Sequence, residues 1–66
     1  MLLKKIAMRL KELREKANLS QEELINETSI HIGRIETGKN NLTVSTLKKI
    51  CVFFNIKLKD FFEGID

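Results

Sequence analysis

The chain has 66 residues, enough for one domain close to the lower limit for a self-supporting core. Its apolar fraction of 42% and charged fraction of 32% exclude a disordered tail, and no apolar run approaches the ~20 residues that a membrane span needs. The net charge of +3 is unevenly spread: residues 1–16 carry six basic side chains against two acids, residues 17–37 carry Arg34 against four Glu, and residues 38–66 carry five Lys against three acids. Met1-Leu2-Leu3-Lys4-Lys5 is too short and too soon charged for a secretory signal, and a single Cys allows no intrachain disulfide. Both features are expected of a protein of the reducing cytoplasm.

The absence of Pro and the presence of only three Gly favour helices over turn-rich sheet. Leu3, Ile6, Leu10, Leu13 and Ala17 recur at spacings of three and four, which predicts an amphipathic first helix with Lys and Arg on its other faces. Asn18 can take the left-handed conformation that ends such a helix. Ser20-Gln21-Glu22-Glu23 has the spacing of a capping box, in which the Ser hydroxyl bonds the Glu23 amide and the Glu23 carboxylate reaches back. A second helix is therefore expected from about Gln21 to Glu27, burying Leu24.

Thr28 or Ser29 offers the next N-cap, before a third helix that carries Ile32 and Ile35 inward and runs to about Thr37. Gly38 suits a left-handed C-cap, and Lys39 to Leu42 reads as a polar loop. Thr43 then caps a fourth helix with the apolar stripe Val44, Leu47, Ile50, Cys51 and Phe54, which Asn55 ends. A short fifth helix over Leu58 to Phe62 is expected to return Leu58, Phe61 and Phe62 to the core. The expectation is a compact all-α domain of five helices over residues 1–66, without repeat, linker or low-complexity segment.

Catalysis finds little support in these residues. His31 is the only His and Cys51 the only Cys, too few for a structural metal site without several carboxylates. Cys51 falls on the apolar stripe of the fourth helix, where a core residue is expected rather than a nucleophile, and no Gly-rich phosphate loop occurs. Of the acids in the middle of the chain, Glu23 has a capping role, which leaves no convergent acid and base. No enzyme activity, cofactor or metal is expected.

Five pieces of the chain, in this order and nearly this spacing, resemble the phage-repressor and Cro type (XRE-like) of helix-turn-helix protein. They are Leu10-x-x-Leu13-Arg14, Leu19-Ser20-Gln21-Glu22-Glu23-Leu24, Ile32-x-x-Ile35-Glu36-x-Gly38-Lys39, Thr46-Leu47-x-x-Ile50 and Leu58-x-Asp60-Phe61-Phe62. The resemblance runs from about Ile6 to Phe62. It implies a lambda-repressor-like fold and a sequence-specific DNA-binding regulator of transcription, a homodimer acting as repressor or controller at a palindromic operator in double-stranded DNA. It implies that Gln21 grips a backbone phosphate at the start of the second helix, and that Lys39, Asn40 and Asn41 form a second phosphate clamp. It places Thr28, Ser29, His31 and Arg34 on or near the reading face, with Arg34 the best base reader because a guanidinium pairs bidentately with guanine. It matches Arg14 and Glu36 to a charged pair tying the first helix to the end of the third.

The interval between the Leu-Ser-Gln start and the Ile-Glu-x-Gly end is about three residues, close to one helical turn, shorter than is usual in that family. Ile25 stands where a small residue is usual, and the Gly of the turn is absent. Either the turn is shortened, with Thr28 capping the third helix and Ser29 and His31 facing the groove, or the helix has lost residues. In the second case Ile30-His31 belongs to the turn, and only Gly33 and Arg34 remain near DNA. Val52, Phe53, Phe61 and Phe62 are candidates for a dimer surface, or else close the small core. A protein-interaction module of the same fold, for example an antitoxin-like partner with weak or lost DNA readout, is the alternative from a different class.

Overall fold

The computed structural model describes residues 2–39 and 42–63 and contains five helices among them: α1 Leu2–Lys16, α2 Gln21–Thr28, α3 Ile32–Glu36, α4 Val44–Phe53 and α5 Leu58–Phe61. Packing runs α1 on α3, α3 on α2, α2 on α4 and α4 on α5. Every helix contributes to one core, in which Ile6, Leu10, Leu24, Ile32, Ile35, Leu47, Ile50, Cys51 and Phe61 are buried. Leu10, Leu24, Ile32, Ile50 and Phe61 are the largest of the fully buried side chains. Each such Leu, Ile or Phe contributes roughly 1.5–3 kcal/mol by leaving water, so removing one strains a domain this small.

Left-handed residues punctuate the chain. Asn18 has φ 60° and Asn55 φ 57°. Around each, the same two bonds close the preceding helix: Leu19 N–H to Arg14 C=O and Asn18 N–H to Glu15 C=O after α1, and Ile56 N–H to Cys51 C=O and Asn55 N–H to Val52 C=O after α4. This is the Schellman arrangement with Asn in place of the commoner Gly, and it explains how so few Gly suffice. Gly38, at φ 72°, follows α3.

The structure revises several details of the apolar pattern. Ala17 lies in the terminal turn after α1 and is exposed, whereas Ala7, beside Ile6, is 3% exposed and widens the buried stripe. Val44 is the first residue of α4, beyond the reach of the core, and is 70% exposed. Leu58, at the start of α5, is exposed and does not return to the core as the pattern suggests. Phe61 is fully buried and is therefore core, not dimer surface; Phe62 is half-buried and meets it edge-on at 5.5 Å between ring centroids. Arg9 supplies a tie the pattern did not suggest. Its Nε donates to the Phe61 carbonyl at 3.1 Å and its Nη2 to the Asp60 carbonyl at 3.3 Å, so a cation of α1 meets the carbonyl end of α5.

Candidate nucleic-acid interface

The helix-turn-helix is built by α2, the segment Ser29–Ile30–His31 and α3. Ser20 caps α2 with both halves of the capping box: Ser20 Oγ accepts from the Glu23 amide at 3.0 Å, and Glu23 Oε1 accepts from the Ser20 amide at 2.8 Å. Those bonds hold the Glu23 carboxyl below the usual carboxylate range, chiefly through the Ser20 backbone amide and then the Ser20 side chain.

The shortening falls on the helix. Thr28 is the last residue of α2, half-buried, with its hydroxyl donating to the Leu24 carbonyl at 2.7 Å and accepting from the Ile30 amide at 3.2 Å. Ser29 is the C-cap of α2 at φ 60°, so a Ser takes the left-handed turn position where Gly would be usual. Neither Thr28 nor Ser29 is the N-cap of α3. His31 occupies that position without a side-chain cap bond, and α3 keeps only Ile32–Glu36. Ile30 belongs to the turn and His31 to its end, the second of the two placements considered above.

Within that short helix the roles divide cleanly. Ile32 and Ile35 are buried, and Glu36 is turned toward α1. Arg14 Nε donates to Glu36 Oε2 at 2.7 Å and Nη2 to Oε1 at 3.1 Å, a bidentate pair with the side chains 11% and 5% exposed. Nη1 of Arg14 donates to the Leu19 carbonyl at 2.8 Å. The bond to Glu36 is the largest influence raising the Arg14 pKa, so this cation is always charged. Gln21 Nε2 adds a third bond to the carboxylate, donating to Glu36 Oε1 at 2.9 Å. A Cβ on Gly33 would lie 3.2 Å from Gln21 Oε1, so the bare Gly leaves room for that amide. One carboxylate thus joins α1, the start of α2 and the end of α3.

Gly33 has no side chain, and the remaining long side chain of α3 is Arg34, which is exposed. An open depression of about 520 Å³ lies beside it, lined by Ser29, Ile30, His31, Arg34, Ile35, Leu42, Thr43, Thr46 and Lys49. No carboxylate of the described residues is among them. The acidic stretch over residues 17–37 therefore does not make this surface acidic, because none of Glu22, Glu23, Glu27 and Glu36 lines it, and Glu36 is paired with Arg14. The surface combines two fixed cations, an imidazole and three hydroxyls. Such a set offers donors to phosphate oxygens and base edges.

The structure brings Ser29, His31 and Arg34 to this depression and leaves Thr28 outside it. Gln21 is exposed at the start of α2, with its amide engaged by Glu36. Lys39 is exposed beyond Gly38, and its amide donates to Thr37 Oγ1 at 3.3 Å. Asn40 and Asn41 lie outside the described residues. Val52 is 70% and Phe53 38% exposed, on the far part of α4. Thr43, Thr46 and Lys49 join the surface from outside the helix-turn-helix, and their spacing of three from the cap into α4 is a helical row that the sequence displays. Thr43 Oγ1 also caps α4, accepting from the Thr46 amide at 3.1 Å. Cys51 is buried, which pushes its thiol pKa up and keeps it inert.

Among the described residues no helix is long and apolar enough to cross a membrane. No curated protein matches the chain, and no solved structure does. A helix-turn-helix family model matches residues 10–61, which takes in the C-terminal part of α1 from Leu10 and all of α2 to α5. The chain therefore belongs to the helix-turn-helix family of Cro and phage-repressor type, a family of DNA-binding transcription regulators.

Proposed function

We propose that this protein is a sequence-specific regulator that binds a palindromic operator as a homodimer and acts by occupancy, as a repressor or controller in the cytoplasm. The depression beside Arg34, with no carboxylate among its described lining residues, carries this reading, because it concentrates the donors that a duplex requires although the α2–α3 stretch that supplies part of it is net negative. In the proposed mode α3 enters the major groove and Arg34 pairs with a base, with Ser29 and His31 at the groove edge. Gln21, Lys39, Asn40 and Asn41 hold phosphates on either side and fix the register. Val52 and Phe53 supply the dimer contact, with Phe62 at its margin. A twofold dimer then spaces two half-sites about one helical turn apart.

A second reading is favoured by the length of α3. Five residues, two of them buried, leave Arg34 as the one long side chain directed to reading. A domain of this kind can keep the fold while serving as an antitoxin-like protein partner with little DNA readout.

Selection of bound duplexes from a random library at moderate salt separates the two. Enrichment of a palindrome with fixed half-site spacing supports the dimeric regulator. Failure to enrich any sequence, with the protein folded and binding a partner protein independently of salt, favours the interaction module.

A further inference from the structure

We propose that Lys49 of α4 is a DNA-phosphate contact, so that the interface extends from the helix-turn-helix onto the polar row Thr43, Thr46 and Lys49. This rests on the DNA-binding reading above and assigns a residue that the helix-turn-helix itself does not contain. The rotation of α4 is fixed by Leu47, Ile50 and Cys51, all buried, at 5%, 0% and 2% exposure. With about 100° between successive residues of a helix, that setting leaves Lys48 and Lys49 exposed in different directions. Lys49 lines the depression that holds His31 and Arg34, and Lys48 does not. Lys48 instead borders a second depression with Ser45, Lys49 and Val52.

The chemistry assigns the partner atom. An ammonium on a four-carbon stem is a mobile point charge suited to phosphate oxygens, whereas the planar guanidinium of Arg34 suits the paired acceptors of a base edge. With α3 reduced to Ile32–Glu36, one reading side chain needs an anchor close to it to fix its register. Lys49 provides that anchor from a longer helix, seated on the core by Leu47, Ile50 and Cys51. Thr43 and Thr46 flank it with hydroxyls already hydrogen-bonded to each other at 3.0 Å.

The adjacent lysines give the test an internal control of equal charge. Duplex affinity would be measured by fluorescence anisotropy across a salt series for the parent chain, Lys49→Ala, Lys49→Gln, Lys48→Ala and Arg34→Ala, with folding checked by circular dichroism. Both Lys49 variants are expected to lower affinity alike on preferred and scrambled duplexes, and to reduce the slope of log K against log salt by about 0.9 per subunit. Lys48→Ala is expected to retain the parent slope. An unchanged slope for folded Lys49 variants, while Arg34→Ala loses base preference, overturns the proposal and leaves the DNA-binding reading intact. An equal loss for Lys48→Ala also overturns it, since diffuse net charge then explains the effect. A parent chain that binds no duplex at any salt overturns both.

Discussion

Arg14 and Glu36, 22 residues apart, form a two-bond pair at 2.7 and 3.1 Å that closes the domain from the end of α1 to the end of α3. Both side chains are largely withdrawn from water, and Gln21 and the Leu19 carbonyl satisfy further sites on the pair. Removal of one member leaves the other charge buried without its partner, which costs about 3 kcal/mol or more. For 66 residues the whole folding free energy is of the order of 3–10 kcal/mol. Arg14→Ala is therefore expected to lower the urea midpoint severely, and Arg14→Met with Glu36→Leu to recover much of the loss. An unchanged midpoint for Arg14→Ala would show that the pair does not hold these helices together.

Two left-handed positions predict opposite responses. Ser29 sits at φ 60°, where an L side chain is disfavoured, so Ser29→Gly is expected to stabilise by up to about 1 kcal/mol. Gly38 at φ 72° already has the permissive residue, and a Cβ there would come 3.0 Å from the Cα of Lys4. Backbone cannot yield as a side chain can, so Gly38→Ala is expected to destabilise by about 2 kcal/mol, strain and contact together. Thermal unfolding of the two variants beside the parent tests both; a stable Gly38→Ala would mean that α1 withdraws at no cost.

The limits of legibility have physical causes. The capping box, the Asn18, Gly38 and Asn55 terminators and the inward Ile32 and Ile35 follow from local chemistry, and each is visible within a few neighbouring residues. The placement of the shortened interval is not local. Thr28 and Ser29 are acceptable caps in isolation, but Thr28 serves α2 because its hydroxyl reaches the Leu24 carbonyl. Periodicity leaves the Phe residues shared between core and surface, and only the tertiary packing makes Phe61 core and Phe53 partly exposed. The depression beside Arg34 joins the turn to α4 across sequence, so Lys49 could be recognised only once α3 and α4 were placed together.

The capping box makes α2 sensitive to acid. The Ser20 bonds depress the Glu23 pKa, so the folded chain binds this proton less readily than the unfolded one. The contribution is fully present above the ordinary carboxylate range and is lost as pH falls through the depressed value. Glu23→Gln retains an acceptor for the Ser20 amide but does not titrate. It is expected to show a smaller fall in melting temperature between pH 7 and pH 3 than the parent. Equal falls in the two proteins would place the acid sensitivity at other carboxylates.

Under the proposed DNA-binding mode, the burden of readout by α3 falls on Arg34. Ile32 and Ile35 face the core, Glu36 is held by Arg14, and Gly33 offers no side chain, so discrimination by α3 passes through one guanidinium. A bidentate pair with guanine is worth about 1–3 kcal/mol of discrimination. Arg34→Ala is accordingly expected to flatten base preference at one position of each half-site by roughly 5- to 150-fold in relative affinity, the same energy converted at 1.4 kcal/mol per decade. Arg34→Lys should keep most of the salt dependence but not the preference, because an ammonium cannot present the paired donors. Competition between the preferred duplex and single-base variants measures this directly. Retained preference in Arg34→Ala would move base reading to Ser29 and His31 in the turn.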